Sequence, residues 1–251
     1  MEELYQQWKQ DEEANFEGWD FSYLKNRWLE EQPPWDYEGK AKELVSQSTA
    51  VLDMGTGGGE KFAMLAPFPE HTIAIEAYKP NVSVARKRLE SLGVKVIEAN
   101  ESYELPFSDG EFDLILNRHS AFKSSELFRI LKVGGVFLTQ QVSGENLNDM
   151  IVEFNAIPKY KDWILERIQQ QLKDAGFEIE EVQKWTGKMH FNDVGAIVYF
   201  LRAIPWIVEG FSVDGHLPFL QKLQKKLEDT GKLIFTQKRF LIRVGKPHLK
   251  T

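Results

Sequence analysis

Short apolar runs alternate with longer amphipathic segments through the middle of the chain. The apolar runs predict five strands, at residues 51–54, 72–76, 94–99, 112–117 and 136–142. The segments between them predict helices at about residues 60–65, 80–92 and 124–131. Because strands and helices alternate in this way, the pattern predicts an α/β fold with a mostly parallel sheet and helices on both of its faces.

The two ends of the chain follow a different pattern. Residues 1–32 are polar and helix-like but rich in aromatic side chains, and Pro33-Pro34 then ends any helix. We therefore expect residues 1–35 to form an aromatic helical arm, which either covers the ligand site as a lid or is held on the domain surface by its aromatic side chains. Beyond residue 160 the pattern predicts helices at 163–175, 193–204 and 217–229 and strands at 177–185 and 238–244.

The first predicted strand ends in a glycine-rich turn, Asp53-Met54-Gly55-Thr56-Gly57-Gly58-Gly59. Glycine has no Cβ, so the chain can turn tightly and a ligand can lie against its backbone. A helix after the turn would direct free N–H groups at that ligand, which is typical of nucleotide sites. Glu60 stands where a dinucleotide fingerprint needs its third glycine, and no Gly-Lys-Ser/Thr follows. The turn therefore disfavours NAD and phosphate-loop sites.

A second acid completes the pattern around this turn. Glu76 ends the second predicted strand, about 20 residues on, where doubly wound folds place an acid that binds ribose hydroxyls. Two further segments follow in order, the loop Asn100–Phe107 and the strand Gly110–Leu116. Together with the glycine turn, they resemble the class I S-adenosylmethionine-dependent methyltransferases over about residues 36–143.

The resemblance implies a fold and a cofactor. The fold is a three-layer Rossmann-like sheet, mostly parallel, with an antiparallel hairpin of the last two strands and a helical insertion at about residues 187–232. Residues 36–251 would then form one methyltransferase domain, and the cofactor would be S-adenosylmethionine. The candidate cofactor-binding residues are Asp53, Gly55, Thr56, Gly57, Gly59, Glu76, Ala77, Glu101, Ser102 and Asn117. Glu101 departs from the usual Asp, so its contact with adenine is expected to be longer or through water.

The acceptor side of the site has fewer signals. His119 is the histidine nearest the expected position of the methyl group, and it is a candidate general base or a histidine that only packs. Trp35 and Tyr37 precede the glycine turn and are expected to border the pocket with Trp206 of the insertion. The tetrapeptide used for exocyclic base amines, Asn/Asp-Pro-Pro-aromatic, is absent, since Asn117 is followed by Arg118-His119-Ser120.

Composition narrows the class of protein. The chain has no cysteine, and its five histidines show no His-x-x-x-His pair, so a metal site is not expected. No apolar run approaches the ~20 residues of a membrane span, and the acidic start does not resemble a signal peptide. We therefore expect a cytoplasmic enzyme that does not bind membranes.

Charge is unevenly distributed along the chain. The net charge is −7, yet residues 219–251 carry nine Lys and Arg against two Asp and Glu. A basic segment of this kind is typical either of a solvated helix face or of a surface that binds a polyanion. The acidic total and the many Trp and Phe residues favour a methyltransferase that acts on oxygen or nitrogen of a small molecule. The alternative is an RNA or protein methyltransferase that docks its substrate on the basic C-terminal region. The least favoured interpretation is a protein that binds the cofactor without turnover.

Overall fold

The computed structural model describes residues 1–16, 19–99 and 104–248. These residues form two compact units. The unit that we call the sheet unit has its described residues in Pro34–Val142, Ile164–Lys184 and Arg239–Thr251. The unit that we call the helical unit has them in Met1–Pro33, Ser143–Trp163 and Trp185–Lys238. One unit boundary therefore falls between the two prolines that the sequence marks as a break.

The helices and strands are numbered along the chain. The helices are α1 (Glu2–Glu13), α2 (Tyr37–Gln47), α3 (Glu60–Ala63), α4 (Lys79–Leu89), α5 (Ser124–Ile130), α6 (Asn148–Glu153), α7 (Leu165–Asp174), α8 (Val194–Ala203) and α9 (Val213–Thr230). The strands are β1 (Trp28–Glu30), β2 (Ala50–Met54), β3 (His71–Glu76), β4 (Lys95–Glu98), β5 (Phe112–Arg118), β6 (Leu131–Val142), β7 (Glu178–Phe191) and β8 (Leu233–Gly245).

The sheet unit has the architecture that the sequence predicts. Its strands lie in the order β7-β8-β6-β5-β2-β3-β4. The pairs β6–β5, β5–β2, β2–β3 and β3–β4 are parallel, and β8 is antiparallel to β6. Strand order reverses between β5 and β2, and open α/β sheets bind ligands at the carboxyl ends of the strands beside such a reversal. The predicted Rossmann-like fold class is confirmed.

Burial explains why these segments form the central strands. Every residue of β2 is buried, and β5 is buried except at Asp113 and Arg118. Strands covered on both faces need continuous apolar sequence rather than alternation. The apolar runs at 51–54 and 112–117 have that sequence, and the two polar residues buried within them, Asp53 and Asn117, lie at or near the carboxyl edge. The core of this unit therefore brings polar groups to the edge where the glycine turn begins.

The helical unit has its own core. Trp8 of α1, Ile197 of α8 and Phe235 of β8 belong to one cluster of buried apolar side chains. Helix α8 is buried over nine of its ten residues, as expected for a helix that is apolar all round. The helical unit also contains the short strand β1, which pairs antiparallel with the last residues of β7. The aromatic N-terminal segment thus contributes Trp8 to a core rather than only surface contacts.

The structure differs from the predicted elements mainly in the antiparallel strands. Residues 1–32 do not form one helix, because α1 ends at Glu13 and the chain continues to β1. Strand β7 extends to Phe191, where its last residues pair with β1, and β8 begins at Leu233 rather than at residue 238. Pairing with a distant segment sets these ends, and a single sequence does not record that pairing.

A buried ion pair joins three segments of the helical unit. The Asp11 carboxylate is fully buried and accepts hydrogen bonds from Arg27 Nη1 at 2.7 Å and Arg27 Nη2 at 3.1 Å. The same guanidinium donates to Asp193, the N-cap residue of α8, at 2.6 and 3.0 Å. Gly195 lies directly beneath, and a Cβ there would come within 1.9 Å of an Asp11 oxygen. The absence of a side chain at Gly195 makes room for the buried carboxylate.

Candidate functional site

The glycine turn follows β2 at the carboxyl edge of the sheet. Gly55, Gly57 and Gly59 all have left-handed backbones, with φ of 67°, 62° and 80°, a conformation that residues with a Cβ rarely adopt. The N–H groups of Gly55 and Thr56 both donate to Ile75 O, at 3.0 and 3.1 Å. The turn is therefore bonded directly to the end of β3, which brings it next to Glu76.

Glu76 connects the turn to the loop after β3. Its Oε2 accepts from Gly57 N at 2.7 Å, and its Oε1 accepts from Tyr78 N at 2.8 Å. An ionised carboxylate can accept about four hydrogen bonds, so each oxygen can still accept one from a ligand. Two such positions on one buried carboxylate suit the adjacent hydroxyls of a ribose.

Two buried polar atoms beside the turn lack a hydrogen-bond partner among the described residues. They are Thr56 Oγ1 and Asn117 Nδ2. Asn117 Oδ1 accepts from Thr139 Oγ1 at 3.1 Å and Gln141 Nε2 at 2.6 Å, so the amide oxygen is occupied and the amide nitrogen remains to donate. A buried polar group without a partner costs about 1–3 kcal/mol. A polar ligand that bonded to both atoms would remove that cost, so these residues fit a polar cofactor.

Two aromatic residues predicted at the pocket border lie against β5 and β6. Tyr37 begins α2, is buried and donates its hydroxyl to Asn117 O at 3.2 Å. Burial and the nearby Asp53 carboxylate both raise the pKa of Tyr37, so its hydroxyl stays protonated. Trp35 is also buried, and its indole N–H donates to Gln140 Oε1 at 2.7 Å. The structure thus brings both aromatic residues to the strand ends that carry Asn117.

His119 follows β5 directly and has a left-handed backbone, with φ of 64°. Its N–H donates to Gln140 O at 2.8 Å, and its ring Nε2 lies 3.0 Å from Gln140 Nε2. Desolvation by neighbouring protein atoms and the positive charges of Arg118 and Arg239 lower the pKa of His119 well below its usual value. The residue is exposed to solvent. Both causes favour a neutral imidazole.

The remaining predicted residues fall in three places. Asp53 is buried near the end of β2, and Ala77 is exposed just after Glu76. Trp206 belongs to the helical unit, where its ring lies 6.0 Å from that of Trp19. Glu101 and Ser102, the expected adenine contacts, lie outside the described residues.

Sequence reasoning missed three polar residues at this edge. Gln140 and Gln141 are 4% and 2% exposed, and Thr139 beside them is fully buried. Three consecutive polar residues in a strand with apolar flanks were the available signal. Arg88 of α4 was also missed; it donates to Gly58 O and to the Glu60 carboxylate. The side chain of Arg88 thereby holds the glycine turn from α4, the helix that follows β3.

No helix in the described part of the chain is long and apolar enough to cross a membrane. The same residues contain no group of three or more His, Cys, Asp or Glu that could hold a metal ion.

Comparison with known families agrees with this geometry. Residues 52–139 match a family model described as a methyltransferase domain. The match contains the glycine turn, Glu76 and Asn117. Over these residues the match confirms the resemblance to the class I S-adenosylmethionine-dependent methyltransferases that the sequence shows. The cofactor of that class is S-adenosylmethionine.

Curated relatives share only a segment with this chain. A protein-L-isoaspartate O-methyltransferase of Bradyrhizobium sp. (strain ORS 278) is 35% identical over 74 residues, which are 29% of this chain and 34% of the relative. A protein of the same name from Alcanivorax borkumensis is 33% identical over 81 residues, 32% of this chain and 34% of the relative. The chain therefore spans about a third of the length of the curated relatives that it matches.

Solved structures resemble the chain over most of its length. A protein of Bacillus halodurans C-125 assigned as a methyltransferase has a TM-score of 0.62 at 20% identity and covers 84% of this chain and 99% of its own. The YcgJ protein of Bacillus subtilis has a TM-score of 0.61 at 20% identity, with 84% and 98% covered. At this identity the likeness shows the fold.

Proposed function

We propose that the chain is an enzyme that transfers the methyl group of S-adenosylmethionine to an oxygen or nitrogen of a small-molecule acceptor. The observation that carries the proposal is the arrangement of Glu76 with the left-handed glycine turn. Glu76 would accept from the ribose hydroxyls, and Asp53 and the turn backbone would bind the amino-acid end. Thr56 Oγ1 and Asn117 Nδ2 would gain partners from the same ligand.

Methyl transfer requires the protein mainly to position the acceptor and the cofactor. When bound, S-adenosylmethionine would supply a methyl group on a sulfonium, and neutral S-adenosylhomocysteine would be the leaving group. The chain must hold the acceptor in line with that methyl group and exclude water. Trp35 and Tyr37 present buried aromatic surface at the ends of β5 and β6, and the raised pKa of Tyr37 keeps its hydroxyl a hydrogen-bond donor.

The charges of the basic segment favour a small acceptor. Lys222 and Lys226 both pair with Glu153, at 2.8 and 3.1 Å, and Lys238 pairs with Glu145 at 3.0 Å. Carboxylates therefore offset part of the positive charge that a polyanion would need. This supports the solvated-face interpretation of residues 219–251 over an RNA-docking surface.

A protein acceptor remains the second candidate because of the relatives' names. The shared segment is only about a third of their length. Cofactor residues are shared across many acceptors in such folds, and the acceptor is set by other segments. We therefore rank the peptide acceptor below a small molecule.

The test of this function is calorimetric binding of S-adenosylmethionine and S-adenosylhomocysteine to the purified chain. We expect dissociation constants on the order of micromolar, values typical of enzyme–cofactor complexes, and no binding of NADH. Glu76→Ala should weaken both sulfur ligands at least about tenfold, because two hydrogen bonds to a charged group are lost.

Glu98→Ala is the matched control. Glu98 ends β4 and is the register partner of Glu76, but it lies outside the glycine turn. Its substitution should leave affinity unchanged. Because Glu76 also accepts from Gly57 N, circular dichroism must show that the variant is folded. Equal affinities of both variants and wild type, or tight NADH binding, would overturn the proposal.

A further inference from the structure

Trp35, Gln140 and His119 form a chain of hydrogen bonds at the ends of β5 and β6. The Trp35 indole N–H donates to Gln140 Oε1 at 2.7 Å. An indole N–H can only donate, so the oxygen of the Gln140 amide must face Trp35. The amide nitrogen then faces the other way, toward the His119 ring.

The orientation of this amide fixes the protonation of His119. Gln140 Nε2 lies 3.0 Å from His119 Nε2, and an amide nitrogen can only donate. His119 Nε2 must therefore accept, so it carries no proton. The single ring proton of the neutral imidazole is then on Nδ1.

The backbone holds His119 against Gln140, and the nearby charges favour a neutral ring. His119 N–H donates to Gln140 O at 2.8 Å, so both the backbone and the ring of His119 are bonded to the same residue. The left-handed φ of 64° is a conformation in which histidine is enriched. The guanidinium groups of Arg118 and Arg239 oppose a positive charge on the ring. Nδ1–H has no hydrogen-bond partner within the described part of the chain, and the residue is exposed to solvent.

We propose that His119 binds the acceptor as a neutral hydrogen-bond donor through Nδ1–H, and that the group it binds is an anionic oxygen, of a carboxylate or a phosphate. The inference rests on the proposed methyl transfer and names the acceptor class for it. Trp35 and Gln140 are positioning residues, since they act only through His119. His119 cannot act as a general base in this arrangement, because the single lone pair of its ring already accepts a hydrogen bond from Gln140.

The positive charges of Arg118 and Arg239 favour an anionic ligand at His119. Arg118 ends β5 and pairs in register with Gln140, and Arg239 of β8 pairs with Val142 at the end of β6. Both are close enough to His119 for their charges to lower its pKa. A hydrogen-bond donor flanked by two guanidinium groups attracts a negative ligand and disfavours an amine.

The first test reads the tautomer directly. Long-range ¹H–¹⁵N correlation spectra at neutral pH should show His119 protonated on Nδ1 and bare on Nε2. Trp35→Phe removes the donor that orients the amide, so this variant should show both tautomers. A proton on Nε2 in the wild-type protein would overturn the proposal. This readout needs no cofactor, so it stands apart from the test of methyl transfer.

The second test measures ligand class with a matched pair of variants. His119→Asn keeps a donor and His119→Asp keeps only acceptors, and both side chains tolerate a left-handed backbone. The probes are acetate, inorganic phosphate and neutral acetamide, titrated into protein saturated with S-adenosylhomocysteine. We expect acetate or phosphate to bind wild type and His119→Asn alike and His119→Asp at least about tenfold more weakly. The anion that binds shows whether the anionic group of the acceptor is a carboxylate or a phosphate.

The outcomes separate the two proposals. Binding of acetamide as tight as that of both anions, or equal anion binding by the two variants, would overturn the donor role. Thermal melting of each variant shows whether it is folded. S-adenosylhomocysteine could fail to bind while Nδ1 is protonated and the anions, titrated without it, bind in the expected pattern. That result would contradict the proposed methyl transfer but leave the donor role of His119 in place. If the sulfur ligand binds and Nε2 is protonated, only the donor role fails.

Discussion

Single carboxylates in this protein join segments that are distant in the chain. Asp113 of β5 accepts from the N–H groups of Thr49 at 3.0 Å and Ala50 at 3.0 Å, where β2 begins. Desolvation acts to raise the pKa of Asp113, but the hydrogen bonds and Lys132 outweigh it, so that pKa lies below its usual value. The carboxylate thereby fixes the start of the strand that ends in the glycine turn.

A pH series tests the role of Asp113. Since the folded-state pKa is depressed, its stabilisation is present above the unfolded-state pKa of about 3.9 and is lost as pH falls through the folded value. Asp113→Asn should therefore lower the free energy of unfolding by about 1 kcal/mol at pH 7, and the difference from wild type should shrink toward pH 3. Urea denaturation at pH 7, 5 and 3 measures it. Asp229→Asn, at an exposed residue, is the control; a difference that stays constant with pH would contradict the prediction.

The predictability of each element depended on where its partners lie in the sequence. Strand β2, the glycine turn and Glu76 were read from local sequence, because a buried strand, a tight turn and a strand-end acid each leave a local signal. Strand β1 was missed because its pairing with β7 involves residues far along the chain. Gln140 was missed for the same reason, since Trp35 is 105 residues away.

Arg27 connects two helices, because it joins α1 to the N-terminus of α8 through Asp11 and Asp193. Arg27→Leu should lower the free energy of unfolding by about 3–5 kcal/mol, because it leaves the fully buried Asp11 carboxylate without its charged partner. Urea denaturation followed by tryptophan fluorescence measures this.

Two further variants check the cause. Lys184→Ala breaks an exposed pair with Glu166 and should cost only about 0.2–1 kcal/mol. Replacing Asp11 by Asn in the Arg27→Leu background should restore part of the loss, since no buried charge is left. If the double variant is less stable than Arg27→Leu alone, the cost does not come from the carboxylate.

At the scale of the whole molecule, charge decides which partners can bind without specific contacts. The net charge is −7, and three lysines of the basic segment are paired with carboxylates. Non-specific binding to nucleic acid requires basic groups that can release counterions from phosphates. The distribution therefore predicts weak affinity for RNA.

Fluorescence anisotropy with a short single-stranded RNA checks this. At physiological salt we expect a dissociation constant weaker than about 100 µM, the weak end of non-specific binding. Glu153→Gln removes the carboxylate that pairs with Lys222 and Lys226, so this variant should bind more tightly than wild type. Tight binding by wild type that falls steeply with salt would instead support the RNA-docking alternative.

Trp8 has a consequence for how the protein is made. Its side chain is 1% exposed in a core that also contains Ile197, yet α8 is synthesised about 180 residues after α1. At about 5–20 residues per second, the ribosome takes roughly 10 to 40 s to deliver that partner. During this interval the aromatic N-terminal segment has no native core to enter. The nascent chain should therefore be a client for chaperones that bind exposed aromatic sequence, until α8 has left the ribosome.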